Sequence, residues 1–545
     1  MWIIEVARAD GTKNETLGKM IYDRFMTDGA IAYRTPEHRC YWAWDGKIFE
    51  VDIGSQAFRS LIWKQAGITH EGTEGRKIWA VLKAETDTKG KTLTSGSWLH
   101  TIKKDHTIYL NPNFSNGSLI KITTDDVSTV SNGANGDDVI LLPATNMTST
   151  NLIPLDDKSY QDGLEELKGL IMDNIACSAP DKYLFLSWIL CYPLMDYSKT
   201  LPHMRASGPA GYGKTYAMDV LSYLVYGNSQ LKKTTDAALY ADAAQNPLQC
   251  LDNLEATNLT TALNDFLLTS ATGTSKLKRK LGTDHDVVRE QVKTLNLSSG
   301  IESLGLNELI TRTLVCEFDR YKYASPNWSE MIYDEIVDKR EVFLSVHMRL
   351  ISTVLKKIKN GGLDNWVRYL ERNYPDHPKN RLNRYIALMA MVLENLTSND
   401  NETKRIISEW MESQRVASAE IQSGTNQIVM YLNSLVDEYD MGGSDNWNKS
   451  GYTVSINRSY NDSGGYTMTG TASQFLVSFS SLARNKGLKF TFNTSIQLSK
   501  RIRDSVRILE EAGIGISTKT SREKTMIYSF TIGQVDQSSE DKAPF

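Results

Sequence analysis

Over the first 150 residues apolar and polar positions alternate between Gly, Asn and Asp turns, as in CYWAWDGKIFEVDI from Cys40 and HTIYLNPNFSNGSLIKITTDD from His106. Period-two alternation marks strands with one buried face, so residues 1–155 are expected to form a β-rich N-terminal domain. From 156 the period changes. Leu164, Leu167, Leu170 and Ile171 recur at helical spacing, and DKYLFLSWILCYPLM continues the pattern after Pro180, so 156–200 reads as a helical collar. Between 201 and 325 short apolar strands alternate with helices, the pattern of a layered α/β domain. Residues 326–437 read as helical, for example EVFLSVHMRLISTVLKKIK and RLNRYIALMAMVLENL. Gly, Ser and Asn crowd 438–470, which is expected to be a flexible linker, and the tail 534–545 is expected to be disordered. The compact unit between them, 471–533, completes a multidomain α/β chain.

Composition narrows the class. The 545 residues are 41% hydrophobic and 23% charged, ordinary for globular folds, with a net charge of −4. No apolar run reaches the roughly 18 residues of a membrane helix. The start, MWIIEVARADGTKNET, lacks a basic segment followed by a long apolar one, so no secretory signal is expected. Cys40, Cys177, Cys191, Cys250 and Cys316 form no CxxC and no zinc spacing, and are expected to be reduced, buried thiols of a cytoplasmic protein. The eight histidines show no ligand spacing, and no acidic pair in 1–150 suggests polymerase metal chemistry. Trp42, Trp44 and Trp188 read as core.

One motif carries chemistry. GPAGYGKT runs from Gly208 through Pro209, Ala210, Gly211, Tyr212, Gly213 and Lys214 to Thr215, matching G-x-x-x-x-G-K-[ST]. Glycines let backbone N–H groups turn around phosphate oxygens, and the following helix presents its positive end. Lys214 is expected to reach the β and γ phosphates of ATP, and Thr215 to hold Mg²⁺. The strand before it, LPHMRAS, is short and weakly apolar. A second metal acid should end an apolar strand some tens of residues later. In NPLQCLDNLE, Leu248, Cys250 and Leu251 lead into Asp252. Either Asn253 or Glu255 orients the attacking water, and Glu255 reads equally well as a solvated acid at a helix start.

SKLKRKLGTDHDVVREQVK, from Ser275, follows a helix and precedes the apolar strand VKTLNLSSG. Strand alternation sets Lys276, Lys278 and Lys280 on one face, with Arg279 between them, and GTDHD makes a turn carrying His285. A basic hairpin between the metal acid and the next core strand suits a phosphate backbone. The order of P-loop, LDNLE, ATG…KLKRKLGTDHD and LSSGIESLGLNELITRTLVCEFD resembles the ATPase core of helicases encoded by phages, plasmids and staphylococcal cassette elements. These are related to poxvirus-type superfamily 3 primase-helicases and to minichromosome-maintenance helicases with their presensor hairpin. HTIYLNPNFSNGSLIKIT is similar to the β-rich region preceding that core. The resemblance implies an AAA+ P-loop ATPase, a homo-oligomeric, hexameric ring and 3′ to 5′ translocation on single-stranded DNA. It implies a polar sensor at Ser299, with Asn296 and Ser298 nearby, although the family more often has Asn there. It implies that Arg312 reaches the γ-phosphate held by a neighbouring subunit.

TASQFLVSFSSLARNKGL sets Phe475, Leu476, Phe479 and Leu482 on one side of a helix. A second helix starts with a cap at Asn493 or Thr494, and GISTKTSREKTMIYSFTI reads as a two-stranded wing, so the unit resembles a winged helix. It carries ten Lys or Arg and four Asp or Glu, a balance of +6. Lys500, Arg501, Arg503 and Arg507 on the second helix, and Lys519, Arg522 and Lys524 on the wing, are expected to hold duplex or origin DNA. The reading is an ATP-dependent replicative helicase of a mobile element or virus. The alternatives are an AAA+ initiator or loader that remodels DNA without processive unwinding, and a regulatory DNA-binding protein switched by ATP.

Overall fold

A computed structural model of the chain describes all residues except 1–12, 36–37, 93, 233–235, 255–258, 274, 280–286, 301–306, 320–330, 426, 448–450, 459–464, 487–489, 491, 493, 505–508, 511, 522–524 and 533–545. It divides into two compact units, one of residues 1–302 and 312–411, the other of 303–311 and 412–545.

At the centre of the first unit lie β1 (His203–Ser207), α1 (Lys214–Tyr226), β2 (Leu231–Lys232), α2 (Asp236–Ala243), β3 (Leu248–Leu251), α3 (Thr261–Thr272), the hairpin strands β4 (Ser275–Arg279) and β5 (Val287–Gln291), β6 (Leu295–Gly300) and β7 (Thr313–Glu317). Five strands form a sheet in the order β2-β3-β6-β1-β7, with every neighbouring pair parallel. Parallel strands need crossovers that cover both faces, so their residues are buried on both sides. Accordingly β3 and β6 are buried at every position. The weakly apolar strand before the P-loop is β1, an interior strand between β6 and β7. It tolerates His203 and Arg205 because each bonds the Ser298 hydroxyl of the neighbouring strand β6.

One apolar cluster runs from Trp98 through Ile108, Leu110, Ile120 and Ile122 into Leu164, Trp188, Leu297 and Leu388. The boundary expected at 155 therefore does not separate two cores. The meander of Leu99–Ile102, Thr107–Leu110, Leu119–Ile122 and Val127–Val130 packs on the same apolar interior as the parallel sheet, and Ser352 Oγ donates to Thr123 O at 2.7 Å. The separate small core lies earlier, around Trp42, Phe25 and Phe58. It includes the helices Asn14–Thr27, Gln56–Ala66 and Gly72–Lys89, which the β-rich expectation did not contain. Ser55 caps the second by accepting from Phe58 N, and Ile78, Trp79, Leu82 and Thr86 set a buried helical stripe on the third.

In the second unit, the stretch read as a linker carries the end of helix Gln427–Trp447 and the strands Ser455–Arg458 and Tyr466–Thr471. Trp447, Tyr452, Val454 and Tyr466 are buried there, so scattered large side chains outweigh the Gly, Ser and Asn around them. These two strands join Met526–Ile532 and Ile514–Thr520 in one antiparallel sheet beside the helices Ala472–Lys486 and Ser495–Asp504. Thr494 caps the latter, accepting from Gln497 N at 3.2 Å, while Asn493 lies outside the described residues.

The five cysteines are free and buried. Among the described residues no helix is long and apolar enough to cross a membrane. Helix Ala179–Leu190 opens on Ser178, whose hydroxyl accepts from Asp181 N at 3.2 Å and donates to Asp181 Oδ2 at 2.8 Å. Burial pushes the Asp181 carboxyl up to about 7, with the Glu317 charge adding to the rise and the Ser178 bond opposing it. A raised carboxyl favours the folded state in its protonated form, and that contribution is lost as pH climbs from about 4 through 7. Asp181→Asn should therefore stabilise the chain at pH 8, by at most about 4 kcal/mol, and change little at pH 4. Chemical denaturation at the two pH values reads this directly.

Candidate functional site

Because all five strands run the same way, their carboxyl ends share one edge, where open α/β sheets bind ligands. Three of those ends supply the site. Gly208 follows β1, Asp252 follows β3, and Ser299 lies next to last on β6.

The loop after β1 is built from backbone that needs glycine. Gly208, Gly211 and Gly213 have φ of 142°, 78° and 88°. A Cβ on Gly208 would lie 2.5 Å from Phe318 O. Gly213 is the N-cap of α1 and has no side chain to cap the first turn, whose N–H groups therefore face the loop. Lys214 is 7% exposed and folds back over that loop. Its Nζ donates to Gly208 O at 2.6 Å and Pro209 O at 2.7 Å.

Thr215 and Asp252 meet. Thr215 Oγ1 donates to Asp252 Oδ1 at 3.0 Å, and Ser299 Oγ donates to the same oxygen at 2.6 Å. Ser299 also fixes the turn beyond the acid, since its Oγ accepts from Asn253 N at 2.9 Å and its carbonyl from Leu254 N at 2.9 Å. Asn253 sits in the left-handed region at φ 55°, which Asn tolerates better than most residues, and its side chain is exposed. Glu255, the other residue expected to orient water, lies outside the described residues. The polar residues of β6 separate by role. Ser299 touches the acid, Ser298 bonds His203, and Asn296 donates to Ser270 Oγ on α3 at 2.9 Å.

Sequence reasoning missed three groups here. His203 Nε2 lies 2.7 Å from Ser298 Oγ, and complete burial, with the Arg205 charge beside it, takes its imidazole down to about 3, so it is neutral. Arg205 is 3% exposed and also bonds the strand ends. Asp219, one turn into α1, has its carboxyl raised by burial and by the charge of Asp252, against a bond from Ser229. The available signal for His203 and Arg205 was two polar residues, i and i+2, in the strand that leads into the glycine loop.

Arg312 stands elsewhere. His203 N bonds Arg312 O at 2.8 Å, which puts Arg312 at the amino end of β1 and β7. The glycine loop is at the other end, about 15 Å away at strand rise. Arg312 Nη1 donates to Leu268 O of α3 at 3.0 Å.

Helix α3 leads into the basic hairpin. β4 and β5 pair antiparallel, from Ser275 opposite Gln291 to Arg279 opposite Val287. The backbone of Lys276, Lys278 and Arg279 is on β4, while Lys280 and His285 lie outside the described residues. The base of the hairpin is anchored. Lys293 Nζ donates to Met195 O at 2.8 Å and Ser198 O at 2.9 Å, with Asp196 Oδ1 at 3.4 Å. In the second unit Lys519 is exposed on Ile514–Thr520, the backbone of Lys500, Arg501 and Arg503 is on Ser495–Asp504, and Arg507, Arg522 and Lys524 lie outside the described residues.

Comparison with known proteins follows the same lines. Residues 167–345 match the family of actinomycete integrative conjugative element replication proteins. The structure described as "SCCmec type IV Cch - active helicase" is similar at 12% identity and TM-score 0.53, over 92% of each chain. The apo C-terminal region of NrS-1 is similar at 12% identity and TM-score 0.39, over 93% of this chain and 97% of that one. No curated protein matches the chain. The likeness to mobile-element helicases read from the motifs is thus borne out: residues 167–345 carry the pattern of a mobile-element replication protein family, and nearly the whole chain shares the fold of an SCCmec helicase.

Proposed function

We propose that the protein is an ATP-driven replicative DNA helicase of a mobile genetic element or virus. The observation that carries this reading is the convergence of Thr215 and Ser299 on Asp252 at the carboxyl ends of a parallel sheet. In that sheet β6 stands between the P-loop strand and the acid strand, with β7 on the far side of β1. This order supports an AAA+ core.

The residues fit MgATP. The glycine loop excludes a Cβ at Gly208, and the Thr215 hydroxyl and Asp252 carboxylate lie side by side, the oxygen pair that suits Mg²⁺. Bound Mg²⁺ would neutralise charge on the β and γ phosphates. Lys214 would exchange its two loop carbonyls for phosphate oxygens. Ser299 holds Asp252 in place, and Asn253 or Glu255 orients water. Arg312, on the opposite edge of its own sheet, acts on the nucleotide of a neighbouring subunit, which requires a ring, hexameric as the resemblance implies. The basic hairpin grips one DNA strand by its phosphates and moves it 3′ to 5′. The four-stranded sheet and two helices of the second unit support a winged helix, with its basic helix and wing on duplex or origin DNA.

Two outcomes follow. Lys214→Ala and Asp252→Ala should each lower DNA-stimulated ATP turnover at least about 100-fold while the chain stays folded. Turnover unchanged in both would remove the site. Mixing Lys214→Ala with Arg312→Ala subunits should restore part of the turnover that each lacks alone, because mixed rings contain interfaces with both residues intact. No recovery at any ratio contradicts action between subunits.

A further inference from the structure

Arg205 lies in the middle of β1, an interior strand, where the sheet itself needs only an apolar residue, as Met204 and Ala206 provide on either side. Burying a guanidinium there is costly unless its donors are used. One of its nitrogens, Nη1, is spent on the acid's surroundings. Nη1 donates to Leu254 O at 2.6 Å, Ser299 O at 3.0 Å and Ser298 Oγ at 3.2 Å. Leu254 stands two residues beyond Asp252, and Ser299 is the residue whose hydroxyl bonds Asp252. One cation therefore ties together the two segments that hold the acid. β6 also makes room for it. A Cβ on Gly300 would lie 2.0 Å from Arg205 Nη2 and 2.7 Å from its Cζ, so the strand ends in glycine where the guanidinium passes. Gly300 O in turn accepts from Gly208 N at 3.3 Å, which joins the first residue of the glycine loop to the same assembly.

We propose that Arg205 is a positioning residue of the nucleotide site: its guanidinium holds the turn after Asp252 against the end of β6, and so fixes the direction in which the carboxylate meets Mg²⁺. This rests on the ATPase reading above. The planar guanidinium is rigid, so it holds Nη1 toward these three acceptors, whereas a lysine ammonium on its flexible stem is a point charge not fixed in one plane. Residues that orient a metal-holding carboxylate act on metal affinity and on turnover rather than on nucleotide binding as such.

The test uses the full chain with Arg205→Lys, Arg205→Met and Gly300→Ala. The last keeps the arginine but crowds its guanidinium. A fluorescent ADP analogue is titrated at graded Mg²⁺, alongside thermal unfolding and ATP turnover. Arg205→Met should bind the analogue without Mg²⁺ within about two-fold of wild type. Its half-saturating Mg²⁺ should rise about 10-fold or more, with kcat falling further than KM rises. Arg205→Lys should retain part of the Mg²⁺ response, and Gly300→Ala should shift in the same direction as Arg205→Met. A residue that serves only the sheet would lower the unfolding temperature and leave the Mg²⁺ midpoint where it was. A wild-type Mg²⁺ midpoint in Arg205→Lys and Gly300→Ala overturns the proposal even if Arg205→Met does not fold. Failure of the underlying reading looks different: wild type itself would bind the analogue without any Mg²⁺ response and hydrolyse no ATP.

Discussion

The parallel pairing of β1 with β6 and β7, and of β3 with β6, is the constraint on which everything else depends. Parallel strands bring their carboxyl ends to one edge, and that edge receives a glycine loop, an acid and a hydroxyl from sequence positions 208, 252 and 299. Short polar contacts then lock the three ends together. Two hydroxyls bond one oxygen of Asp252, and Arg205 bonds two carbonyls beside it. A bond to a charged group adds about 1.5–3 kcal/mol where the residue is buried, as Arg205 and Ser299 are, and less at the exposed Thr215 hydroxyl. The site is thus part of the sheet's own stability.

The same sheet separates two tasks. Its carboxyl edge holds the glycine loop, and its amino edge holds Arg312. Helix α3 connects the two, since its last turns accept from Arg312 and its end leads into the basic hairpin. The hairpin's return strand is fixed by Lys293, whose half-buried ammonium spends its donors on Met195, Ser198 and Asp196, and whose pKa is lowered chiefly by burial. A hairpin with an anchored base moves with the core that carries it. In the proposed motor, this lets a change at the nucleotide edge reach DNA as displacement.

Much of this was legible in the sequence because the signals were local. GPAGYGKT needs its glycines for backbone reasons, and Asp252 ends an apolar strand, so both stand out without any tertiary knowledge. The hairpin's strands follow from alternation around a turn. What the sequence concealed was decided by tertiary partners. LPHMRAS looks like a poor strand until Ser298 and Leu254 bond its His203 and Arg205. The stretch 438–470 looks like a linker until Trp447, Tyr452 and Tyr466 find a common interior. Helices at 56–66 and 72–89 were hidden beside strongly alternating strands, and the boundary at 155 failed because a β-meander and a parallel sheet share one core.

The most direct test of the central claim is ATP-dependent unwinding of a forked duplex by the full chain, with a Lys276→Ala/Lys278→Ala/Lys280→Ala triple variant beside wild type and ATP turnover recorded in parallel. The account predicts that wild type opens the fork, and that the triple variant still hydrolyses ATP but leaves it closed. A wild type that hydrolyses ATP and opens no fork of either polarity contradicts the helicase reading, and a triple variant that unwinds as wild type does contradicts the role given to the hairpin.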